Sequence, residues 1–72
     1  MAFRWKRVTS TAIASVGYDR KALTLAVRFK NGAIYEYYSV EPETVQAFLN
    51  ASSKGKFFRS QIKDSFEYDR IR

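Results

Sequence analysis

Asn31-Gly32, set between two runs of β-forming residues, restricts the fold of this 72-residue chain more than any other feature. An Asn-Gly pair flanked by alternating apolar residues is the strongest short-range hairpin signal, because both residues tolerate positive φ. Ahead of it, Leu23, Leu25, Val27 and Phe29 point one way while Thr24, Ala26, Arg28 and Lys30 point the other, the period-2 pattern of a half-buried strand. Behind it runs Ile34-Tyr35-Glu36-Tyr37-Tyr38, whose register on the first strand depends on the loop.

A two-residue loop pairs Phe29 with Ile34 and drives Glu36 into the core opposite Val27. A three-residue loop of Lys30, Asn31 and Gly32, with Gly32 in the left-handed conformation of a bulge, pairs Val27 with Tyr35 and Leu25 with Tyr37 instead. Glu36 then lies outside, near Arg28. An unpaired buried carboxylate costs several kcal/mol or must protonate, so the bulged register is expected, with an Arg28–Glu36 cross-strand pair. Tyr35 and Tyr37 become core residues whose hydroxyls reach the rim.

Upstream, Ile13, Val16 and Tyr18 fall in a run of small, β-branched and aromatic residues that reads as another strand. Downstream, Pro42 suits a first helical position, Glu41 and Glu43 complement the helix dipole, and Val45, Phe48 and Leu49 form an apolar stripe. After Asn50-Ala51-Ser52, Ser53 caps a second helix expected over about residues 54–63, with Phe57, Phe58, Gln61 and Ile62 on its inner side. The fold class is therefore α+β: a three-stranded antiparallel β-meander over residues 12–18, 22–29 and 33–39, two short helices packed on one face, and a C-terminal extended segment completing the edge. Expected core residues are Ile13, Val16, Leu23, Leu25, Val27, Phe29, Tyr35, Tyr37, Val45, Phe48, Leu49, Phe58 and Ile62. Residues 1–7, mixing Phe3 and Trp5 with Arg4, Lys6 and Arg7, form an arm or an edge strand, and residues 8–72 form one domain.

A chain this short stands near the lower limit for a self-sufficient core, and its twelve aromatic residues compensate. With no Cys and no His it lacks thiolates, imidazoles and the commonest general base, so no metal, cofactor or catalytic residue is expected. No leader segment and no apolar run long enough for a membrane span occurs, which makes the cytoplasm the expected address and a membrane partner unexpected. Thirteen Lys and Arg against seven Asp and Glu give a net charge of +6, favouring polyanionic partners.

Taken together, Ser10-Thr11-Ala12-Ile13, Val16-Gly17-Tyr18-Asp19, Leu23-Thr24-Leu25, Asn31-Gly32, Tyr35-Glu36-Tyr37 and Ser53-Lys54-Gly55-Lys56-Phe57-Phe58 with Ile62 resemble the KTSC domain family. That family takes its name from the C-terminus of certain lysyl-tRNA synthetases and also occurs as stand-alone small proteins of bacteria and phages. The resemblance covers nearly the whole chain from about Val8 and rests on a Tyr-x-Tyr centre, here Tyr35 and Tyr37. It implies an association with tRNA chemistry and carries over no catalytic residue.

Lys56, Arg59 and Lys63, spaced by three and four in a stretch with no acid between Glu43 and Asp64, make a basic stripe on the second helix that can track a phosphate backbone. Lys54 lies close by, and Arg28 and Tyr38 offer a cation and a stacking ring on the exposed sheet face. Ser53-Lys54-Gly55-Lys56 fails the nucleotide-loop template, since Asn50 stands where its first Gly belongs and Phe57 replaces its Ser or Thr. The leading expectation is a non-enzymatic module that binds RNA, either tRNA or single-stranded, mainly through electrostatic backbone contacts. The alternative is an adaptor that docks a protein partner through the sheet edge or the Phe3/Trp5 arm.

Overall fold

The hairpin closes through the three-residue loop. In the computed structural model, which describes residues 3–72, the Phe29 N–H donates to the Ala33 carbonyl at 2.8 Å and the Gly32 N–H to the Phe29 carbonyl at 3.0 Å. Gly32 sits at φ +94°, a conformation that any side chain would strain. Leu25 pairs with Tyr37 and Val27 with Tyr35, as expected. Ala26 is the residue opposite Glu36, however, while Arg28 faces Ile34, so the expected Arg28–Glu36 pair is replaced.

The meander has five strands rather than three: β1 (Arg4–Arg7), β2 (Ile13–Asp19), β3 (Thr24–Phe29), β4 (Ile34–Tyr37) and β5 (Tyr68–Arg70), each antiparallel to the next. The N-terminal segment forms the β1 edge, and the C-terminal segment is a true strand, with Tyr68, Asp69 and Arg70 opposite Tyr37, Glu36 and Tyr35. Every residue of β1 and β5 is exposed. Neither strand therefore carries the buried-exposed alternation that marked the central three.

Between β4 and β5 run α1 (Pro42–Asn50), α2 (Lys54–Phe57) and a π-helical turn, Phe58–Ile62. Proline opens α1, and the Ser53 hydroxyl caps α2 by accepting from the Lys56 N–H at 3.3 Å. The second helix does not run on as α to residue 63, because the Lys63 N–H reaches the Phe58 carbonyl, five residues back, at 2.9 Å. Ser60 donates its hydroxyl to the Lys56 carbonyl at 3.0 Å, a side-chain substitute of the kind that loosens a helical ladder. The two adjacent phenylalanines divide their packing here: Phe57 stacks on Phe48 at 5.4 Å, and Phe58 meets Phe29 and Tyr37 edge-on at 5.2 and 5.6 Å.

Both helices cover the sheet face that carries Ile13, Val16, Leu25, Val27 and Tyr37, and together with the π turn they add Val45, Phe48, Phe58 and Ile62 to the core. Val40, absent from the expected core, is fully buried. Its N–H donates to the Leu23 carbonyl at 2.9 Å and its carbonyl accepts the Tyr18 hydroxyl at 2.6 Å, clamping the crossover from β4 to α1. Leu23 leaves the expected core: at φ 52° it belongs to the turn after Asp19, whose carboxylate accepts from the Lys21 and Ala22 N–H groups. Phe29, Tyr35 and Leu49 are half-buried against the core.

Burial pushes the Tyr37 phenol up to about 12, and the nearby Tyr35 and Tyr68 phenols and the Asp64 carboxylate add to the rise. A phenol held above its unfolded value of 10.0 makes the fold less stable as pH climbs from there to about 12, because the unfolded chain gives up its proton first. Denaturant titrations across that interval are expected to show a falling midpoint, and Tyr37→Phe to flatten the fall. An equal slope in wild type and variant would exclude Tyr37 as a source.

Candidate nucleic-acid interface

Among the described residues no helix lies over the other face of the sheet, and pairing arranges its outward side chains in rows. One row runs Arg7, Ser15, Arg28, Ile34 across β1 to β4. The next runs Trp5, Gly17, Ala26, Glu36, Asp69 across all five strands. Arg7 and Arg28 are two strand spacings apart, roughly 10 Å, with only a serine between them. Lys30 joins them where β3 turns into the hairpin loop, around a shallow hollow also bordered by Ser15.

Trp5 is 47% exposed on this face, beside Phe3 at a ring separation of 5.9 Å. Its indole lies over Gly17: a Cβ there would stand 2.8, 2.9 and 3.0 Å from three indole carbons. Only glycine leaves room for the ring to lie flat on the strand, one side against backbone and the other toward solvent. Gly17→Ala is expected to lift the indole and red-shift its emission, at a stability cost under about 1 kcal/mol because the ring is at the surface. An unmoved emission maximum would show that the ring does not rest there.

The far end of the same face is acidic. Glu36 and Asp69 are paired across β4 and β5, and the Tyr38 hydroxyl donates to Asp69 Oδ2 at 3.0 Å and, more weakly, toward Glu36 Oε1 at 3.5 Å. Desolvation, the hydrogen bond to Asp69 and the two carboxylate charges push the Tyr38 phenol up to about 12. The face is thus graded, cationic over β1 to β3 and anionic over β4 and β5. A polyanion is drawn to the first part and turned away from the second.

The structure disperses the site residues expected from the sequence. Lys56 and Arg59 are exposed on α2 and the π turn, but the π turn takes in one residue more than an α turn and carries Lys63 away, to a groove it borders with Asp64. Lys54 donates to the Ala51 carbonyl at 2.6 Å and borders a hollow with Lys6, Arg7 and Asn50. Arg28 is where it was expected, on the open face, whereas Tyr38 is tied to the acidic end. From the sequence, Trp5 among Arg4, Lys6 and Arg7 offers a stacking contact to a polyanion but is expected to cap the core instead, as a tryptophan in so small a chain usually does; the structure leaves the ring exposed and supplies its neighbours Gly17, Ser15 and Arg28 from two other strands. The signal available was the alternation of Phe3, Trp5 and Arg7 with Arg4 and Lys6, which puts the rings and one guanidinium on one side. No cluster of three or more Asp or Glu side chains able to hold a metal ion exists among the described residues, and none of their helices is long and apolar enough to cross a membrane.

Residues 9–66 match the sequence model of the KTSC domain. A crystal structure of a KTSC domain protein from Yersinia pestis superposes with a TM-score of 0.92 at 36% identity, covering 99% of this chain and all of that one. An uncharacterized protein of Stutzerimonas stutzeri is 44% identical over 69 residues, 92% of this chain and 97% of the relative. A lysine–tRNA ligase of Nostoc punctiforme is 32% identical over 71 residues, which are 99% of this chain and only 13% of the ligase.

Proposed function

Because this chain belongs to the KTSC domain family, we propose that it is a non-catalytic RNA-binding module that lays a single strand across the helix-free face of its sheet. The observation that carries this is the exposed indole of Trp5 held flat on Gly17 in the row next to Arg7 and Arg28. An aromatic ring supplies stacking for any base, and guanidiniums two strands apart supply phosphate contacts, the combination by which sheets hold unpaired RNA. The match to part of a ligase that uses tRNA supports RNA as the polyanion, and the cytoplasmic address expected from the sequence goes with it. Lys56, Arg59 and Lys54 are then peripheral charges that raise the general attraction.

Trp5 is the chain's single tryptophan, so its emission reports the contact directly. Single-stranded RNA is expected to quench it, and Trp5→Ala to weaken binding about tenfold, the scale of one lost base stack. Unquenched emission at saturating RNA would overturn stacking on this ring. The adaptor alternative draws on the outer edge of β1, which no strand among the described residues covers. It predicts binding that persists after nuclease digestion and ignores salt.

A further inference from the structure

On the helix-covered side, where the end of the π turn meets β4 and β5, a groove of about 360 Å³ opens to solvent. Its size falls within the usual range of small-ligand sites. Tyr35, Tyr37, Tyr68 and Phe58 form its walls. The three tyrosine rings stand 5.6 to 6.4 Å apart, Tyr35 and Tyr37 nearly parallel at 19°, and Phe58 closes the inner end edge-on to Tyr37. Lys63 and Arg70 border it, with the guanidinium of Arg70 5.9 Å from the centre of the Tyr35 ring.

The hydroxyls are the informative part. Tyr18 and Tyr38 hydrogen-bond to protein groups, whereas no protein partner meets the hydroxyls of Tyr35, Tyr37 and Tyr68 among the described residues. Tyr37 is only 3% exposed, yet among the described residues no buried side-chain oxygen lacks a partner, so its hydroxyl reaches the groove rather than ending in the core. Unpaired phenols, flat walls and two cations against the single Asp64 carboxylate together select a ligand. A cation is repelled by Lys63 and Arg70. An apolar ligand strands the phenols without partners. A bare anion gains nothing from the walls.

We propose that this groove binds one unpaired nucleotide, its base against the tyrosine wall with its polar edge toward the phenols, and its phosphate on Lys63 and Arg70. Phe29 borders both this groove and the Arg7–Arg28 hollow, but none of the charged or phenolic groups invoked here belongs to the open face, and the site stands independently of it. Adenosine, cytidine, guanosine and uridine monophosphates, each titrated against the whole chain, are expected to shift the NMR signals of Tyr37, Tyr68 and Arg70. Adenosine without phosphate and ribose 5-phosphate without a base should each bind at least about fivefold more weakly, and Tyr37→Phe and Arg70→Glu should each weaken the nucleotide about tenfold. Tyr37→Phe keeps the ring in the core and Arg70 is exposed, so both variants retain the fold, which thermal melting verifies. Ribose 5-phosphate binding as well as the nucleotides would reduce the groove to an anion site and overturn the proposal. So would the absence of shifts, or shifts indifferent to Arg70→Glu. Trp5 quenching by RNA, read on the same variants, separates failure of the groove from failure of the open face.

Discussion

Reversing Arg7 and Arg28 together to glutamate is expected to remove nearly all salt-dependent RNA binding, while the same reversal at Lys56 and Arg59 leaves most of it. The two arginines share one row of the open sheet, and the ring of Trp5 lies in the next row. Each loses a charge-assisted contact on reversal and gains a repulsion, so affinity at low salt should fall at least about a hundredfold. Filter binding over a range of salt gives an independent measure: the slope of log affinity against log salt should shrink by about 1.4, two single-strand phosphate contacts' worth. Lys56 and Arg59 lie on the other layer, on a helical face that offers phosphates no stacking ring. The opposite outcome, with the α2 reversal abolishing binding and the sheet reversal sparing it, would move the interface to the helix and discard the sheet-face proposal.

Phe48→Ala is expected to cost about 3–5 kcal/mol, the upper range for truncating one core side chain. Phe48 is fully buried, is among the largest such side chains, and stacks on Phe57 at 5.4 Å, so its removal opens a void where α1 and α2 meet. A domain of this size has little stability to spare, and a drop in Tm on the order of 20 °C follows. Thermal melting of the variant checks this. A loss under about 1 kcal/mol would mean that the two helices do not pack through this ring. Trp5→Ala, on the exposed face, is the matched control and should scarcely change Tm.

Glu36 shows how a single charge can settle the register of a hairpin from sequence alone. Slipping the hairpin by one residue exchanges the faces of Tyr35, Glu36 and Tyr37, and only one choice keeps the carboxylate in water. The same logic does not reach its partner. The register that pairs Val27 with Tyr35 and Leu25 with Tyr37 already sets Ala26 opposite Glu36, and its polar neighbour, Asp69, comes from a strand more than thirty positions away in sequence. Leu23 misled for a related reason. It continues the alternation of β3 perfectly, but the Asp19 turn and the bond to Val40 claim its backbone first, and it takes up a positive φ.

The π turn was illegible because spacing by three and four presupposes the α ladder that defines it. Two neighbouring phenylalanines with different docking places, and a serine that bonds back to Lys56, favour the wider turn only once Phe48, Phe29 and Tyr37 are in position. That widening carried Lys63 out of the basic stripe and onto the aromatic groove.

What local chemistry decided here was the central hairpin, the inward turn of Tyr35 and Tyr37, the two helix starts and the surplus of positive charge, since each depends on residues close in sequence and on the cost of burying the wrong one. The tertiary structure alone decided the pairing partners of the two edge strands, the seat of the indole on Gly17, the gradient of charge across the open face and the convergence of three phenols in one groove. Each of those brings together residues from strands or helices far apart in the chain, and exposed edge residues leave no burial pattern from which their neighbours can be inferred.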